Sequence, residues 1–357
     1  MNESIPYILM RGGSSKGVYF KAEDLPADPE KLTEILLLAI EGTLHGDSRQ
    51  INGLGGAHSL TSKVAIVSKS NLPGIDLDYY FIQVVVGKSK ISTVQTCGNL
   101  LAGVVPFAIE TGMLTANDPE TKAVVRLVNT GSLCEIIVQT PHRQIQYRGN
   151  TKIDGVPDSA APIVCNYLKT EGSTCGHLLP TGNKIDTILG VSVTCLDNGM
   201  PVVIMKASDF GLTGNESIQA LENNASLKSK LESIRLQAGK MMNLGDVTNL
   251  TIPKMCLISP PMQDGVINTR MFIPHTVHDA IGVLAAVSVA TACILPDCIT
   301  SGVTGNINSN LISVEHPTGE CTVQLDYSIL DGNLILHASG VVRTARCISR
   351  GEWYPPG

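Results

Sequence analysis

The sequence predicts an α+β protein built from two similar domains, each with a β-barrel-like sheet around one central helix. Three observations lead to this prediction: short apolar runs separated by 34 glycines and 19 prolines, few helix-like stretches, and a motif order that occurs twice. A length of 357 residues suits two domains of ordinary size, and 43% hydrophobic residues are enough for a sizeable core.

Short apolar runs bounded by turn-forming residues predict the strands. These runs cover residues 7–10, 64–67, 80–86, 134–138, 202–205, 254–258 and 334–337. Many short strands beside few long helices are typical of the α+β class.

Four segments predict helices. Residues 29–41 and 225–238 are polar enough for surface helices, whereas 98–113 and 279–293 are apolar nearly all round. A helix that is apolar on every side is buried, so we expect these two at the centres of the two domains. Pro106 should kink the first of them, because proline lacks the backbone N–H that a helix needs.

Two weak matches in the same order indicate an internal duplication. Residues 6–11 (PYILMR) resemble 201–206 (PVVIMK), and Gly103-Val104 stands opposite Gly282-Val283. The alternative is chance similarity between apolar segments.

The expected organisation is two domains, with a C-terminal segment that returns to the first. The first domain is expected to cover residues 1–187 and the second 188–342, with 343–357 returning to the first. The N-termini of the two central helices would then face each other across a cleft between the domains, which is where we expect the active site.

Composition excludes several classes of protein. A net charge of -6 without a basic run argues against nucleic acid or an anionic membrane as a partner. No apolar run is long enough to span a bilayer, and the first residues lack the features of a signal peptide, so a cytoplasmic location is expected. Ten cysteines without a CxxC pair are expected to be mostly small buried side chains.

Cys97 is the cysteine that could differ from the others. It stands with Thr96 where an N-cap belongs, directly before Gly98 and Asn99 at the start of a predicted helix. The helix dipole there would favour the thiolate, and the free N–H groups would bind a carboxylate. The alternative is a buried cysteine that caps a core helix. In the register of the duplication Cys97 falls opposite Thr276.

Lys63 leads directly into the apolar run 64–67. Partial burial would favour a neutral amine that could act as a general base, whereas a lysine with its head in water is the alternative. After the first strand, residues 11–17 (RGGSSKG) offer cations, hydroxyls and flexible N–H groups, which suit carboxylate binding or form a plain turn. Arg270 and His275 precede the second apolar helix and would face Cys97 if the duplication holds.

Several segments together resemble the PrpF-like isomerases of the diaminopimelate epimerase-like superfamily. They are MRGGSSKGVYF, QINGLGGAHSLTSKVAIV, CGNLLAGVVPFAIE, SIRLQAGKMMNLGDV and NTRMFIPHTVH, and the similarity runs over nearly the whole chain. The resemblance implies two diaminopimelate epimerase-like domains and catalysis without a metal, nucleotide or other cofactor.

The resemblance also implies the residues of the site. Lys63 and Cys97 match the catalytic lysine and cysteine of the family. Related two-thiol racemases place a second cysteine near the position of Thr276, which argues against a racemase here. The residues expected to bind substrate are Arg11, Gly13, Ser14, Ser15, Ser59, Thr61, Ser62, Gly98, Asn99, Arg270, His275 and Thr276.

The expected ligand is a small polycarboxylate. The resemblance implies 4-oxalomesaconate, converted by keto–enol tautomerisation or an allylic 1,3-proton shift during breakdown of gallate-like or protocatechuate-like aromatic compounds. Alternative substrates are 2-methylaconitate and 3-methylitaconate, and the less favoured alternatives are an amino-acid epimerase and a non-catalytic tricarboxylate binder. The sequence leaves the oligomeric state open, with a homodimer as the working expectation.

Overall fold

A computed structural model describes residues 4–93 and 96–356 and divides the chain into two units. The first unit combines Met1–Leu168 with Val342–Gly357, and the second unit is Lys169–Val341. The second unit therefore begins before the position between residues 187 and 188 at which the sequence analysis divides the chain.

The first unit carries nine strands and three helices among its described residues. They are β1 (Ile5–Gly12), β2 (Ser15–Lys21), α1 (Pro29–Glu41), β3 (Lys63–Lys69), β4 (Leu77–Val85), β5 (Lys90–Ser92), α2 (Gly98–Leu101), α3 (Val104–Glu110), β6 (Glu120–Leu127), β7 (Leu133–Gln139) and β8 (Ile163–Leu168), with the last strand of the chain, Ala345–Trp353, as the ninth.

The second unit follows with eight strands and three helices among the described residues. They are β9 (Asp186–Ile188), β10 (Val191–Asp197), β11 (Pro201–Lys206), α4 (Ile218–Glu222), α5 (Ala225–Met241), β12 (Lys254–Ser259), β13 (Ile267–Phe272), α6 (Val283–Ile294), β14 (Leu311–His316), β15 (Gly319–Leu330) and β16 (Asn333–Arg343). The ninth strand of the first unit, Ala345–Trp353, is β17. Each of the seven runs predicted as strands overlaps an observed strand.

Strand pairing repeats between the units. In the first unit, β1–β2 is antiparallel, β2–β3 parallel, β3–β4 antiparallel, β4–β6 parallel, and β6–β7 and β7–β8 antiparallel. The second unit gives the same series from β10 to β16. The two units therefore share one topology, as an internal duplication requires.

The strand match used to predict the duplication is wrong by one strand. It set β1 against β11, whereas the pairing series makes β2 the counterpart of β11. Lys21 ends β2 and precedes the short 3-10 helix Ala22–Asp24, and Lys206 ends β11 and precedes Ala207–Phe210. Apolar strands resemble one another in sequence, so hydrogen-bond pairing identifies the counterpart more reliably.

Helix α1 has the predicted bounds because both of its ends carry strong signals. The Asp28 carboxylate accepts from the Lys31 N–H at the N-terminus, and Gly42 ends the helix at φ 75°. Its buried face packs in a core cluster with residues of β2, β3 and β4.

The segment 98–113 is not one kinked helix, as predicted, but two short helices that break at Ala102 and Gly103. Pro106 gives the physical reason, because it has no N–H for the Ala102 carbonyl and its ring clashes with that carbonyl. The Phe107 N–H then bonds the Gly103 carbonyl at 2.9 Å and continues α3.

The second apolar segment starts later than predicted. Helix α6 begins at Val283 rather than at residue 279, because the His278 N–H still bonds the Met271 carbonyl and Gly282 is extended. Ten consecutive residues of α6, 285–294, are buried, as expected for a helix that is apolar on every side. No helix among the described residues is both long and apolar enough to cross a membrane.

Candidate active site

One face of β4 supports both residues predicted to be catalytic. Tyr79, Phe81 and Gln83 alternate along this strand, so their side chains share a face. The Tyr79 hydroxyl donates to the Cys97 carbonyl at 3.1 Å. Lys63 Nζ lies 5.1 Å from the centroid of the Phe81 ring and donates to Gln83 Oε1 at 2.7 Å. Three side chains on one face of β4 thus contact the Cys97 carbonyl and the Lys63 amine.

Lys63 is held inside the first unit. It is the first residue of β3, pairs in register with Gly17 of β2 and Gln83 of β4, and is only 8% exposed. The Phe81 ring attracts a cation, and the Gln83 oxygen accepts a hydrogen bond without carrying a net charge. The amine is therefore fixed in position with no carboxylate bonded to it among the described residues.

The Gln83 side chain is itself fixed by backbone. Its Nε2 donates to the carbonyls of Ser59, Ser62 and Val84 at 3.1, 3.0 and 3.1 Å. Turning the amide round would place its oxygen against three carbonyl oxygens, so Oε1 must point toward Lys63.

The loop before β3 is also tied down internally. Gln50 Oε1 accepts from the Ala57 N–H and from the Ser62 hydroxyl, both at 2.8 Å. Thr61 Oγ1 donates to the His58 carbonyl at 3.2 Å. Three residues predicted to bind substrate, Ser59, Thr61 and Ser62, therefore already bond within this loop or to Gln83.

Cys97 is the N-cap of α2 and is extended at φ −124°. Its carbonyl accepts from the Leu101 N–H as well as from Tyr79, and the Tyr19 hydroxyl donates to the Leu100 carbonyl at 2.5 Å. All ten cysteines are free, and Cys97 and Cys347 are the two that are partly exposed. The position of the thiol thus depends on two tyrosines that rise from the sheet.

Both tyrosines stay protonated at ordinary pH. Burial is the main cause that raises the pKa of Tyr19 and of Tyr79 well above the ordinary value. A phenol that keeps its proton keeps its donor, so both hydrogen bonds to α2 persist.

The turn between β1 and β2 packs against α2. Asn99 Nδ2 donates to Ser14 Oγ at 3.1 Å. Gly13 has φ +51°, and a Cβ there would lie 2.2 Å from Asn99 Oδ1. Glycine is therefore required at residue 13, and the packing brings Gly13, Ser14, Cys97 and Asn99 together.

Two hydroxyls near this turn and the α2 cap lack a protein partner. Within residues 4–93 and 96–356, Ser15 Oγ and Thr96 Oγ1 are buried side-chain atoms without a hydrogen bond. Buried polar groups are nearly always satisfied, so these two are the groups that a bound carboxylate could satisfy.

Arg11 has a structural task in the first unit. Its Nη1 donates to the Gly13 carbonyl at 2.8 Å and to the carbonyl and hydroxyl of Thr344 at 3.0 and 2.9 Å. Burial, and then the charge of Arg346, lower the pKa of Arg11. These bonds fix the turn that carries Ser14.

Arg270, His275 and Thr276 belong to the second unit. Arg270 is 6% exposed and donates to the Glu216 carbonyl at 3.0 Å and the Thr269 carbonyl at 2.8 Å. His275 is exposed, and its Nδ1 lies 3.6 Å from Glu232 Oε2. Thr276 is exposed in the turn after β13 and is not a helix cap, because Gly282 caps α6.

Four supporting residues were not predicted from the sequence: Tyr19, Tyr79, Gln83 and Gln50. A signal was present for Tyr19, Tyr79 and Gln83, because each is a polar side chain within a predominantly apolar strand and therefore needs a bonding partner, whereas Gln50 lies in a polar loop and carried no such signal. The identity of that partner could not be read from the sequence.

Comparison with known proteins identifies relatives over the whole chain. A family model described as "PrpF protein" matches residues 2–356. The chain is 48% identical over 363 residues to the 4-oxalomesaconate tautomerase of Pseudomonas putida, which covers 99% of this chain and 98% of the relative. It is also 48% identical over 353 residues to the (4E)-oxalomesaconate Δ-isomerase of Novosphingobium sp., covering 98% of this chain and 97% of the relative.

A solved structure agrees with the fold. The crystal structure of a methylitaconate Δ-isomerase matches with a TM-score of 0.88 and 30% identity, covering 99% of this chain and 96% of that chain. The predicted α+β fold and the prediction of an isomerase are confirmed by these relatives. The chain belongs to the PrpF protein family.

Proposed function

We propose that this isomerase acts on 4-oxalomesaconate and moves one proton and one double bond, with Lys63 as general base and Cys97 as its acid partner. The observation that carries the proposal is the face of β4 on which Gln83 bonds the Lys63 amine and Tyr79 bonds the Cys97 carbonyl. Tyr79 and Gln83 are four residues apart, roughly 13 Å along a strand, a span over which two side chains can reach one small molecule.

The proposed reaction is an isomerisation, so the substrate gains and loses no atoms overall. The neutral Lys63 amine takes a proton from a carbon next to the carbonyl or alkene, and the electron pair of that C–H bond forms a dienolate. The Cys97 thiol then donates its proton to another carbon or to oxygen and becomes a thiolate. Before the next turnover the proton taken up by Lys63 passes to the Cys97 thiolate through solvent, which restores both groups. Microscopic reversibility exchanges the two roles in the other direction. General acid–base catalysis of this kind contributes about 10²- to 10⁴-fold per group.

The carboxylates of the substrate are proposed to bind beside α2. Ser14 Oγ bonds Asn99, and the hydroxyls of Ser15 and Thr96 have no partner among the described residues. Backbone N–H groups of the first turn of α2 add donors. Arg270 and His275 remain proposed carboxylate ligands, and Arg11 is proposed to act by fixing the turn.

The relatives support the choice of substrate. Two proteins 48% identical to this chain are named for oxalomesaconate, whereas the methylitaconate isomerase structure is 30% identical. We also propose that this reaction belongs to the breakdown of gallate-like or protocatechuate-like aromatic compounds. Methylitaconate is the second candidate substrate.

The substrate is tested by proton NMR in deuterium oxide. 4-Oxalomesaconate, 3-methylitaconate and 2-methylaconitate are each incubated with the enzyme, and the carbon that takes up deuterium is read from the spectrum. We expect turnover of 4-oxalomesaconate to exceed that of the others. Faster turnover of either methylated substrate would replace the proposed one, and the labelled carbon separates tautomerisation from an allylic shift.

The catalytic pair is tested by substitution. Lys63→Met and Cys97→Ala should each lower kcat by about 10²- to 10⁴-fold, because each removes one proton-transfer group. Lys69→Met is the matched control, since Lys69 is the exposed last residue of the same strand. Near-normal rates in both site variants, with unchanged thermal unfolding, would rule out the pair.

A further inference from the structure

Lys63 has a structural counterpart in the second unit. The β2–β3 register pairs Gly17 with Lys63 and Lys21 with Val67, and the β11–β12 register pairs Val202 with Lys254 and Lys206 with Ile258. Lys21 and Lys206 are already equivalent, because each ends its strand directly before a 3-10 helix. Lys63 and Lys254 therefore occupy the same position of the repeated topology.

The two lysines differ in what the next strand places opposite them. Lys63 pairs with Gln83 of β4. In the second unit, Met255 pairs with Phe272, so the next step of the antiparallel register sets Ile273 opposite Lys254. Ile273 has no hydrogen-bonding side chain. One topology thus contains the lysine twice and the amide partner once.

We propose that Gln83 is a positioning residue that holds the Lys63 amine for proton transfer, and that this residue distinguishes the reactive lysine from its counterpart. The inference rests on the proposed role of Lys63. A neutral amine has two N–H bonds and one lone pair. With one N–H bonded to Gln83 Oε1 at 2.7 Å, rotation about the Cε–Nζ bond is restricted and the lone pair is directed.

The amide suits this task better than a carboxylate. A carboxylate at hydrogen-bond distance would stabilise the ammonium ion relative to the neutral amine. The amide oxygen accepts the same hydrogen bond without a net charge. Because Nε2 is bonded to three backbone carbonyls, the oxygen cannot turn away from Lys63.

The test compares two substitutions that separate charge from positioning. Gln83→Glu keeps the size and the acceptor, adds a charge and loses the Nε2 hydrogen bonds, so its thermal unfolding is measured alongside its activity. The added charge should move the acid limb of the kcat/KM profile about 1 to 3 pH units to higher pH, a shift that a loss of stability alone does not produce. Activity near neutral pH should fall at least about 10-fold and recover in alkaline buffer. Gln83→Met removes the acceptor and should lower kcat roughly 10- to 100-fold at every pH with KM little changed.

Gln139→Met is the matched control, because Gln139 is an exposed glutamine at the end of β7. It should keep the wild-type rate and pH profile. An acid limb in Gln83→Glu that coincides with the wild-type limb would overturn the proposal. If both Gln83 variants lost the same activity, and that loss matched their loss of thermal stability, Gln83 would be only a packing residue and the proposal would likewise fail.

A measurement without substrate separates this proposal from the proposed function. Acetylation of Lys63 by acetic anhydride, followed by mass spectrometry across pH, reports its neutral amine directly. In Gln83→Glu the reactivity of Lys63 should rise at higher pH than in the wild type. If that shift is seen while Lys63→Met retains full turnover, Gln83 positions Lys63 but Lys63 is not the base. If no shift is seen, the positioning role is wrong whatever the substrate.

Discussion

Tyr79 links the sheet to the site through a single hydroxyl. Its ring is fully buried in the first unit, and its O–H donates to the carbonyl of the residue that presents the proposed acid, Cys97. A net contribution of about 0.5–1.5 kcal/mol is typical of such a bond. The bond therefore matters more for the position of α2 than for overall stability.

We expect Tyr79→Phe to lower the free energy of unfolding by about 1 kcal/mol, because the Cys97 carbonyl loses a donor. Urea unfolding at pH 8 measures this change. Tyr80→Phe is the control, since Tyr80 lies on the opposite face of β4. A loss in the control as large as in Tyr79→Phe would show that the hydroxyl bond is not the cause.

The same variant should change the alkaline stability. The folded state raises the pKa of Tyr79 well above its ordinary value, mainly through burial. The unfolded chain releases this proton near pH 10 and the folded chain does not, so this contribution is present below pH 10 and is lost as pH rises. Stability between pH 9 and 11 should therefore fall more steeply in the wild type than in Tyr79→Phe. If the stability of both proteins fell equally between pH 9 and 11, Tyr79 would not be the group responsible.

At the scale of elements, α5 is organised by one buried guanidinium. Arg235 is fully buried and bonds Glu232 through Nε at 2.7 Å and Nη2 at 2.8 Å. Its Nη1 donates to the carbonyls of Val247, Leu250 and Ile252 at 3.0, 3.2 and 2.9 Å. One side chain thus fixes the loop that leads into β12 and the carboxylate next to His275.

We expect Arg235→Met to lower the free energy of unfolding by about 3–5 kcal/mol, because it leaves three carbonyls and one carboxylate without their donor. Ser233→Ala on the exposed side of α5 should change it by less than about 0.5 kcal/mol. Chemical denaturation of both variants measures the difference. A loss near that of the control would mean that water replaces the guanidinium without cost.

Acid pH gives an independent check of this ion pair. The hydrogen bond from Arg235 is the main cause that lowers the pKa of Glu232. A lowered carboxyl pKa contributes stability above the unfolded value and loses it as pH falls through the folded value. Glu232→Gln should therefore have a lower free energy of unfolding than the wild type at pH 7, and chemical denaturation should show this difference shrinking below about pH 4.

Elements with strong local sequence signals have the predicted bounds, and elements without such signals do not. Helix α1 has the predicted bounds because Asp28 and Gly42 mark its ends. The segment 98–113 carries an internal proline, and its helices break at the carbonyl that the proline cannot bond. Amphipathicity could not locate that break, because the segment is apolar on every side.

At the scale of the whole molecule, the two ends of the chain meet in one unit. Strand β17 pairs antiparallel with β1 from Ile5 opposite Trp353 to Gly12 opposite Ala345. The first unit therefore takes its last strand from a segment that follows the entire second unit.

Deleting residues 345–357 should prevent the first unit from folding, because β1 would lose a partner strand along its full length and the backbone groups that face β17 would be unpaired. Deleting residues 355–357, which follow the end of β17, is the control and should leave thermal unfolding unchanged. Circular dichroism and limited proteolysis measure both deletions. A protease-resistant first unit in the longer deletion would refute the requirement for β17.

The sequence by itself determined the α+β class, seven of the strands, the family and two candidate catalytic residues, and it indicated a duplication, because these depend on local patterns and on residue identity. The tertiary structure decided which strands are equivalent, where the apolar helices break, and which side chains support Lys63 and Cys97. Those outcomes depend on pairing between residues far apart in the chain. The Gln83 amide meets Lys63 only because β3 and β4 pair in one register, and no pattern within either strand specifies that contact.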